Sequence, residues 1–329
     1  MKVLLTGASG FVGSHVLDRL LDRNIPVAVL LRKSSRRDLI NARLGSFEIC
    51  IGGIDEGTSL DSALDGVTHI IHCAGATKAL DRNEFFGVNQ GGTRHVVEAM
   101  NRRGGQIQRL VHISSLAAAG PATVDHPRTE RDAPAPVSDY GRSKLAAEQV
   151  VRERCGGDWT IIRPPAVYGP RDGEFLRLFK AVRSHVRPYF GGGRQQLSLV
   201  YVEDLADIIV TALTHPQARR ETFFVGAPEM VTAGELATAV ASISQNWSVP
   251  LPLPNAVLWL ACQWSGLVSR ITQRADVLNA QKYAELSAAG WVCDVRKLSD
   301  QLGQGCPTGL QAGLEKTLAW YRHHGWLRI

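Results

Sequence analysis

Short apolar, β-branched runs alternate with amphipathic stretches along most of the chain. The runs Val3–Thr6, Val27–Leu31, 47–51, His69–His72, 110–113, 160–162 and 223–225 have the length and composition of strands buried on both faces. Between them lie helical patterns such as Phe11–Asp22, which carries Val12, Val16, Leu17, Leu20 and Leu21 at helical spacing, and 83–102. Strand, helix, strand repetition predicts an α/β fold, a doubly wound parallel sheet with helices on both faces. Such a sheet takes ligands at the carboxyl ends of its strands. After about Pro228 the pattern turns nearly all helical, interrupted by Pro250, Pro252 and Pro254, which predicts a smaller helical lobe. The expected division is 1–165 with 199–227 for the sheet, and 166–198 with 228–329 for the lobe.

Composition narrows the class. The 329 residues are 44% hydrophobic and carry a net charge of +6, which excludes disorder, collagen and a membrane bundle. The six cysteines lie far apart without a CxxC pair, so neither a zinc site nor a disulfide framework is readable and reduced thiols are expected. Lys2 runs directly into Val3-Leu4-Leu5 with no room for a leader, and the expected location is cytoplasmic. Basic residues are mostly dispersed and lack interleaved aromatics, so no nucleic-acid partner is expected. His95, His112, His323 and His324 show no metal spacing, and no metal is assigned.

Three constellations carry chemistry. The first strand ends in Thr6-Gly7-Ala8-Ser9-Gly10-Phe11-Val12-Gly13 and opens a helix, so the glycines allow a tight turn and the helix N-terminus faces a pyrophosphate. The second strand ends in Arg32-Lys33, with Arg36 and Arg37 behind, where an NAD site offers a carboxylate to the ribose. A guanidinium there pairs with a 2′-phosphate, so NADP(H) is expected, with NAD(H) as the alternative. Third, Tyr140 and Lys144 are one helical turn apart, where an ammonium can lower the phenol's pKa, and Ser115 follows a strand.

These residues, with His72-Cys73-Ala74-Gly75, Val88-Asn89, Ser114-Ser115, the run from Arg163 to Pro170 and Tyr201-Val202-Glu203-Asp204, resemble the extended short-chain dehydrogenase/reductase family, also described as NAD(P)-dependent epimerase/dehydratase. The likeness extends over essentially the whole chain and implies a Rossmann fold. It implies Tyr140 as proton donor or acceptor, Lys144 on the nicotinamide ribose and tuning Tyr140, and Ser115 orienting the substrate carbonyl. Its register to Tyr140 selects Ser115 over Ser114. The resemblance further implies Gly7, Gly10 and Gly13 at the pyrophosphate, with Ser9, Phe11 and Val12 in the same turn. Ala74 and Gly75 would meet the adenine-side ribose, Asn89 would lie near the cofactor, and Pro164 to Val167 would meet the nicotinamide. A homodimer through a four-helix bundle is also a family habit.

Departures from the pattern point to the substrate. Glycine fills the place of the acidic residue after the third strand, in Gly52-Gly53-Ile54-Asp55. Leu116 and Ala117 follow Ser115 where dehydratases carry Asp-Glu, and neither can act as acid or base. Leu197 stands where sugar-nucleotide enzymes place a phosphate-gripping arginine, with Arg194 nearby as a partial substitute. Leu116, Ala117, Thr77, Arg194 and Leu197 are therefore the candidate substrate contacts. Residues 255–268 form an apolar helix too short to span a bilayer, readable as core, pocket roof or membrane-surface contact. That style is closer to the 3β-hydroxysteroid dehydrogenase and dihydroflavonol reductase branch. Residues 120–138 make a long polar connection of the kind that often forms a lid. The expected activity is NADP(H)-dependent interconversion of a ketone or aldehyde and an alcohol on a fairly apolar small molecule. The alternatives are a sugar-nucleotide 4-epimerase and a non-catalytic, cofactor-binding assembly subunit.

Overall fold

The structure, a computed structural model, describes residues 1–55, 57–272 and 280–327. Its strands are β1 (Val3–Thr6), β2 (Val27–Leu31), β3 (Glu48–Ile51), β4 (His69–His72), β5 (Arg109–Ile113), β6 (Asp158–Arg163), β7 (Ala166–Tyr168), β8 (Val186–Phe190), β9 (Gln196–Tyr201), β10 (Glu221–Phe224), β11 (Met230–Thr232), β12 (Val249–Leu253) and β13 (Gly290–Trp291). The first helices are α1 (Phe11–Asp22), α2 (Gly57–Ala63), α3 (Arg82–Phe86), α4 (Gly92–Arg102), α5 (Leu116–Ala119) and α6 (Asp139–Arg154). They are followed by α7 (Gly173–Arg183), α8 (Val202–Ala212), α9 (Ala233–Ser244), α10 (Asn255–Thr272), α11 (Ala280–Leu286), α12 (Arg296–Leu302) and α13 (Leu310–His323).

Seven strands form one parallel sheet in the order β10-β6-β5-β4-β1-β2-β3. This is the doubly wound Rossmann arrangement, with the chain reversing direction across the sheet between β1 and β4. Strand alternation sends Val3 and Leu5 into a core with α1 and α8, while Leu4 packs on the other face with α2, α4 and α6. The lobe has its own core, in which Phe179, Tyr201, Val240, Leu314 and Tyr321 are buried. Among the described residues, no helix is long and apolar enough to cross a membrane.

The helix expected over 83–102 is present, running without interruption from Arg82 to Arg102 with a wide π-helical turn, Gly87–Gly91, between α3 and α4. Three expectations are corrected. The segment after Pro228 is not nearly all helix, since β11, β12 and β13 lie within it. Pro250 and Pro252 sit inside β12, which pairs only with β8 in a two-stranded sheet, an edge setting where a residue without an N–H is tolerated. Residues 120–138 are a fastened strap instead of a free lid: Ala122 bonds the backbone of Gly290 and Val292, Arg128 that of Val292 and Asp294. Several strand ends also shift by one or two residues, as β6 begins at Asp158 and β10 at Glu221.

Three buried histidines lie on the sheet, His69 at the start of β4 and, deeper, His72 and His112. His72 bonds Thr6 Oγ1 at 2.8 Å and Thr93 Oγ1 at 3.1 Å, whereas neither ring nitrogen of His112 has a partner among the described residues. Burial, then the charge of Lys144, holds both rings well below the ordinary histidine range, His72 at about 3. The unfolded chain therefore binds more protons than the folded one below about 6.5, and stability falls as pH drops through that range. We expect His112→Leu to stabilise the protein at neutral pH by about 1–2 kcal/mol, by removing two unpaired buried nitrogens. It should also flatten the loss of melting temperature on acidification, and thermal melts at pH 7.5 and 5 check both effects.

Candidate active site

At the carboxyl ends of the central strands, a cavity of about 800 Å³ opens between the sheet and the lobe. Its floor is the turn after β1. Gly7 has φ +76°, and a Cβ there would lie 2.6 Å from the Ala74 amide nitrogen, so only glycine lets the two backbones meet. Gly10 caps α1 with no side-chain acceptor, which leaves the first N–H groups of that helix to an anion. The turn thus fits the pyrophosphate of a dinucleotide. Gly10, Phe11, Val12, Gly13, Gly75, Pro164 and Val167 line the same cavity, as do Thr77, Ser115, Tyr140 and Lys144.

Other expected residues stand behind this wall. Ser9 lies half-buried in the turn, and the Ala74 N–H donates to Thr6 Oγ1 at 3.2 Å. Asn89, in the π-helical turn, is almost wholly buried. Its Oδ1 accepts from the Ala76 N–H at 2.8 Å, and its Nδ2 donates to Ala76 O at 3.0 Å and Ser143 Oγ at 2.8 Å. It clamps the loop after β4 to α6. Arg32 and Lys33 are exposed just after β2, and Arg36 is held by Asp38 through contacts of 2.6 and 2.9 Å. Asp55 is exposed beyond β3. Leu116 and Ala117 are buried and absent from the cavity wall. Leu197 packs into the lobe core, and Arg194 lines a different cavity with Arg187 and Tyr189.

Helix α6 delivers the chemistry. Ser138 caps it, accepting from the Gly141 N–H at 3.1 Å, and the next turn places Tyr140 and Lys144 on the cavity side. Tyr140 hydrogen-bonds with Ser115, while Lys144 Nζ donates to Ile113 O at 2.5 Å. The expected lowering of the phenol's pKa by the ammonium does not dominate. Burial pushes Tyr140 up to about 12, against the lowering pull of its Ser115 bond, and brings Lys144 down to about 8. At neutral pH the phenol keeps its proton.

Beneath this group, Glu148 of α6 has no exposed surface and is gripped by Arg163 of β6 at 2.6 and 2.8 Å. Ser114 Oγ donates to the same carboxylate at 2.5 Å. The pair therefore locks α6 to the ends of β5 and β6, next to Ser115.

Some cavity residues were not foreseen from the chain. Glu285 of α11 lines the cavity, accepts from Ser138 Oγ at 2.6 Å and places negative charge near Tyr140. Lys78 and Glu174 pair at 2.5 Å between the loop after β4 and the start of α7. Asp172 caps α7 through the Glu174 and Phe175 N–H groups, and burial lifts its carboxyl to about 6. An Asp just before a helical pattern is a readable cap signal for Asp172, but no local signal points to Glu285.

The family model described as NAD dependent epimerase/dehydratase matches residues 3–226, the span holding the whole seven-stranded sheet. The chain belongs to this family. It is accordingly an NAD(P)-dependent enzyme with a nicotinamide cofactor. Among its family relatives, a ceramide reductase of Caulobacter vibrioides is 31% identical, over 99% of this chain and 96% of that one. A UDP-glucose 4-epimerase of Vibrio cholerae is 29% identical, over 96% of this chain and 94% of that one. The solved UDP-glucose 4-epimerase of Thermus thermophilus in complex with NAD superposes with a TM-score of 0.78 at 24% identity, over 98% of this chain and 99% of that one.

Arg163→Met would leave the Glu148 carboxylate buried with its main counter-charge gone. We expect a loss of about 3–5 kcal/mol, measured by urea unfolding, while the double variant Arg163→Met/Glu148→Leu recovers most of it.

Proposed function

We propose that this family member is an NADP(H)-dependent oxidoreductase interconverting a ketone or aldehyde and an alcohol on a fairly apolar small molecule. The observation that carries this reading over nucleotide-sugar turnover is the placement of Arg194 and Leu197. One lines another cavity and the other is packed in the lobe core, and among the described residues lining the cleft there is no arginine. A nucleotide diphosphate would lack its bidentate clamp there. Phe85, Phe175, Pro165 and Leu286 offer apolar wall instead. The relative named ceramide reductase supports an apolar substrate.

The geometry supports the following roles. A nicotinamide, when bound, would supply the hydride chemistry at the substrate carbon. Tyr140, protonated at neutral pH, donates to the carbonyl oxygen in the reducing direction, and Ser115 holds that oxygen beside the phenol. Lys144, at about 8, keeps most of its charge at pH 7 and favours the phenolate that forms after donation. Asn89 and Glu148 act through α6 as positioning residues. The sheet-bearing part, 1–165 and 199–227, holds the cofactor, and 166–198 with 228–329 closes over the substrate. Arg32 reads the ribose 2′-phosphate from the end of β2, where it stands free of the cavity wall.

The UDP-glucose 4-epimerase relative keeps a second reading open, in which the same three residues turn over a nucleotide sugar. The deciding experiment follows NADPH absorbance with a panel of apolar ketones and aldehydes, in parallel with UDP-sugars assayed for isomer exchange. Oxidation of NADPH by the ketones supports the proposal, while isomer exchange without net cofactor turnover overturns it. Tyr140→Phe is expected to lower kcat by about 10²–10⁴-fold with cofactor affinity retained in a fluorescence titration. Arg32→Ala should weaken NADPH by about tenfold or more and leave NADH nearly unchanged, which paired Kd measurements check.

A further inference from the structure

The lobe carries an apolar surface that the reaction does not use. From Trp247 through β12 into α10, large hydrophobic side chains stand in solvent: Trp247 and Trp264 are 70% exposed, Leu260 59% and Val249 58%, with Leu251 and Trp259 close behind. Leu258 and Cys262, one turn apart on α10, are buried, so this helix rests on a narrow stripe and presents the flanking side chains outward. None of its described side chains lines the active-site cavity. Three tryptophans exposed within one uncharged stretch of chain are costly in water, and tryptophan is the residue enriched where protein meets a lipid headgroup layer.

Charge selects the occupant. Between Glu235 and Arg270 the chain has no charged residue at all, and between Glu174 and Glu203 it has Arg177, Lys180, Arg183, Arg187 and Arg194 but no acid. Pairing of β8 with β12 along their whole length sets the basic segment beside the apolar one. His185 stacks on Trp247 at 4.0 Å between ring centroids. Against β12 lies a cavity of about 680 Å³ lined by Arg187, Arg194 and Pro250. Arg187 Nε has no partner there among the described residues, and the one carboxylate in that wall, Glu235, is engaged in capping α9 through Thr232. Two copies meeting through this face would bring basic against basic. An anionic lipid surface meets both the apolar and the charged parts.

We infer that the lobe docks on an anionic phospholipid bilayer, with the Trp247 to Trp264 surface in the headgroup layer and the Arg183 to Arg194 segment over lipid phosphates. Helix α11, in contact with α10, contributes Glu285 and Leu286 to the active-site wall, so docking would set the cleft near the bilayer. The inference does not depend on whether the site reduces a ketone or epimerises a sugar.

The test is flotation of the full chain with phosphatidylglycerol/phosphatidylcholine vesicles and with pure phosphatidylcholine vesicles, at low and high salt. Binding should favour the anionic vesicles and fall severalfold as ionic strength rises from about 0.05 to about 0.5 M. Brominated lipids should quench the tryptophan fluorescence of the unaltered protein. Trp259→Gln/Trp264→Gln should lower vesicle binding roughly tenfold while cofactor titration is unchanged. Absence of both flotation and quenching with anionic vesicles overturns the inference. So does self-association in analytical ultracentrifugation that the same double variant abolishes, since a second copy would then be the occupant.

Discussion

Glu148 has no exposed surface and carries a charge, so α6 can lie on the sheet only where Arg163 meets it. That condition fixes the helix along its axis and in rotation. Ser114 joins the pair from the residue after β5, and Asn89 ties the first turns of the helix, through Ser143, to the loop after β4. Tyr140 and Lys144 inherit their positions from these contacts. A buried ion pair is weak evidence for net stability, but it is a strong constraint on register, because any sliding of α6 would strand a charge in the core.

The same burial that fixes the helix sets the protonation of the site. Taking Tyr140 out of water raises its pKa to about 12 and taking Lys144 out of water lowers its own to about 8, so two groups that titrate side by side in water are driven apart. The phenol remains an acid and the amine remains mostly a cation at neutral pH. Glu285 adds to this from a remote part of the chain, because its charge opposes formation of a phenolate while its bond to Ser138 rests on the cap of α6. The lobe therefore contributes to the electrostatics of the reaction centre as well as to the walls around it.

Charge is distributed between the parts of the molecule with a purpose that the net value of +6 conceals. Around α1, carboxylates and guanidiniums are interleaved: Asp18, Asp22 and Asp207 pair with Arg43, Arg19, Arg23 and Arg171. In the lobe, the span between Glu174 and Glu203 is basic without acids, next to a stretch without charges. The first arrangement neutralises itself, and the second calls for an external anion beside an apolar phase.

The order and type of the sheet elements were legible along the chain, because strands buried on both faces read as continuous apolar runs and helices as 3.6-residue repeats. The glycine turn and the Tyr140–Lys144 spacing were legible for the same reason: each is a local condition, on backbone conformation or on one helical turn. The sequence was silent on the π-helical turn at Gly87–Gly91, within which the Asn89 side chain bonds two other segments. It misled on β12, since proline argues against a strand until an edge position is known. Tertiary structure alone decided that burial, rather than Lys144, governs the Tyr140 phenol, that Glu285 reaches the cleft and that Arg194 does not. Local spacing is encoded by covalent geometry, whereas desolvation and charge–charge contacts across many residues exist only once the chain has closed on itself.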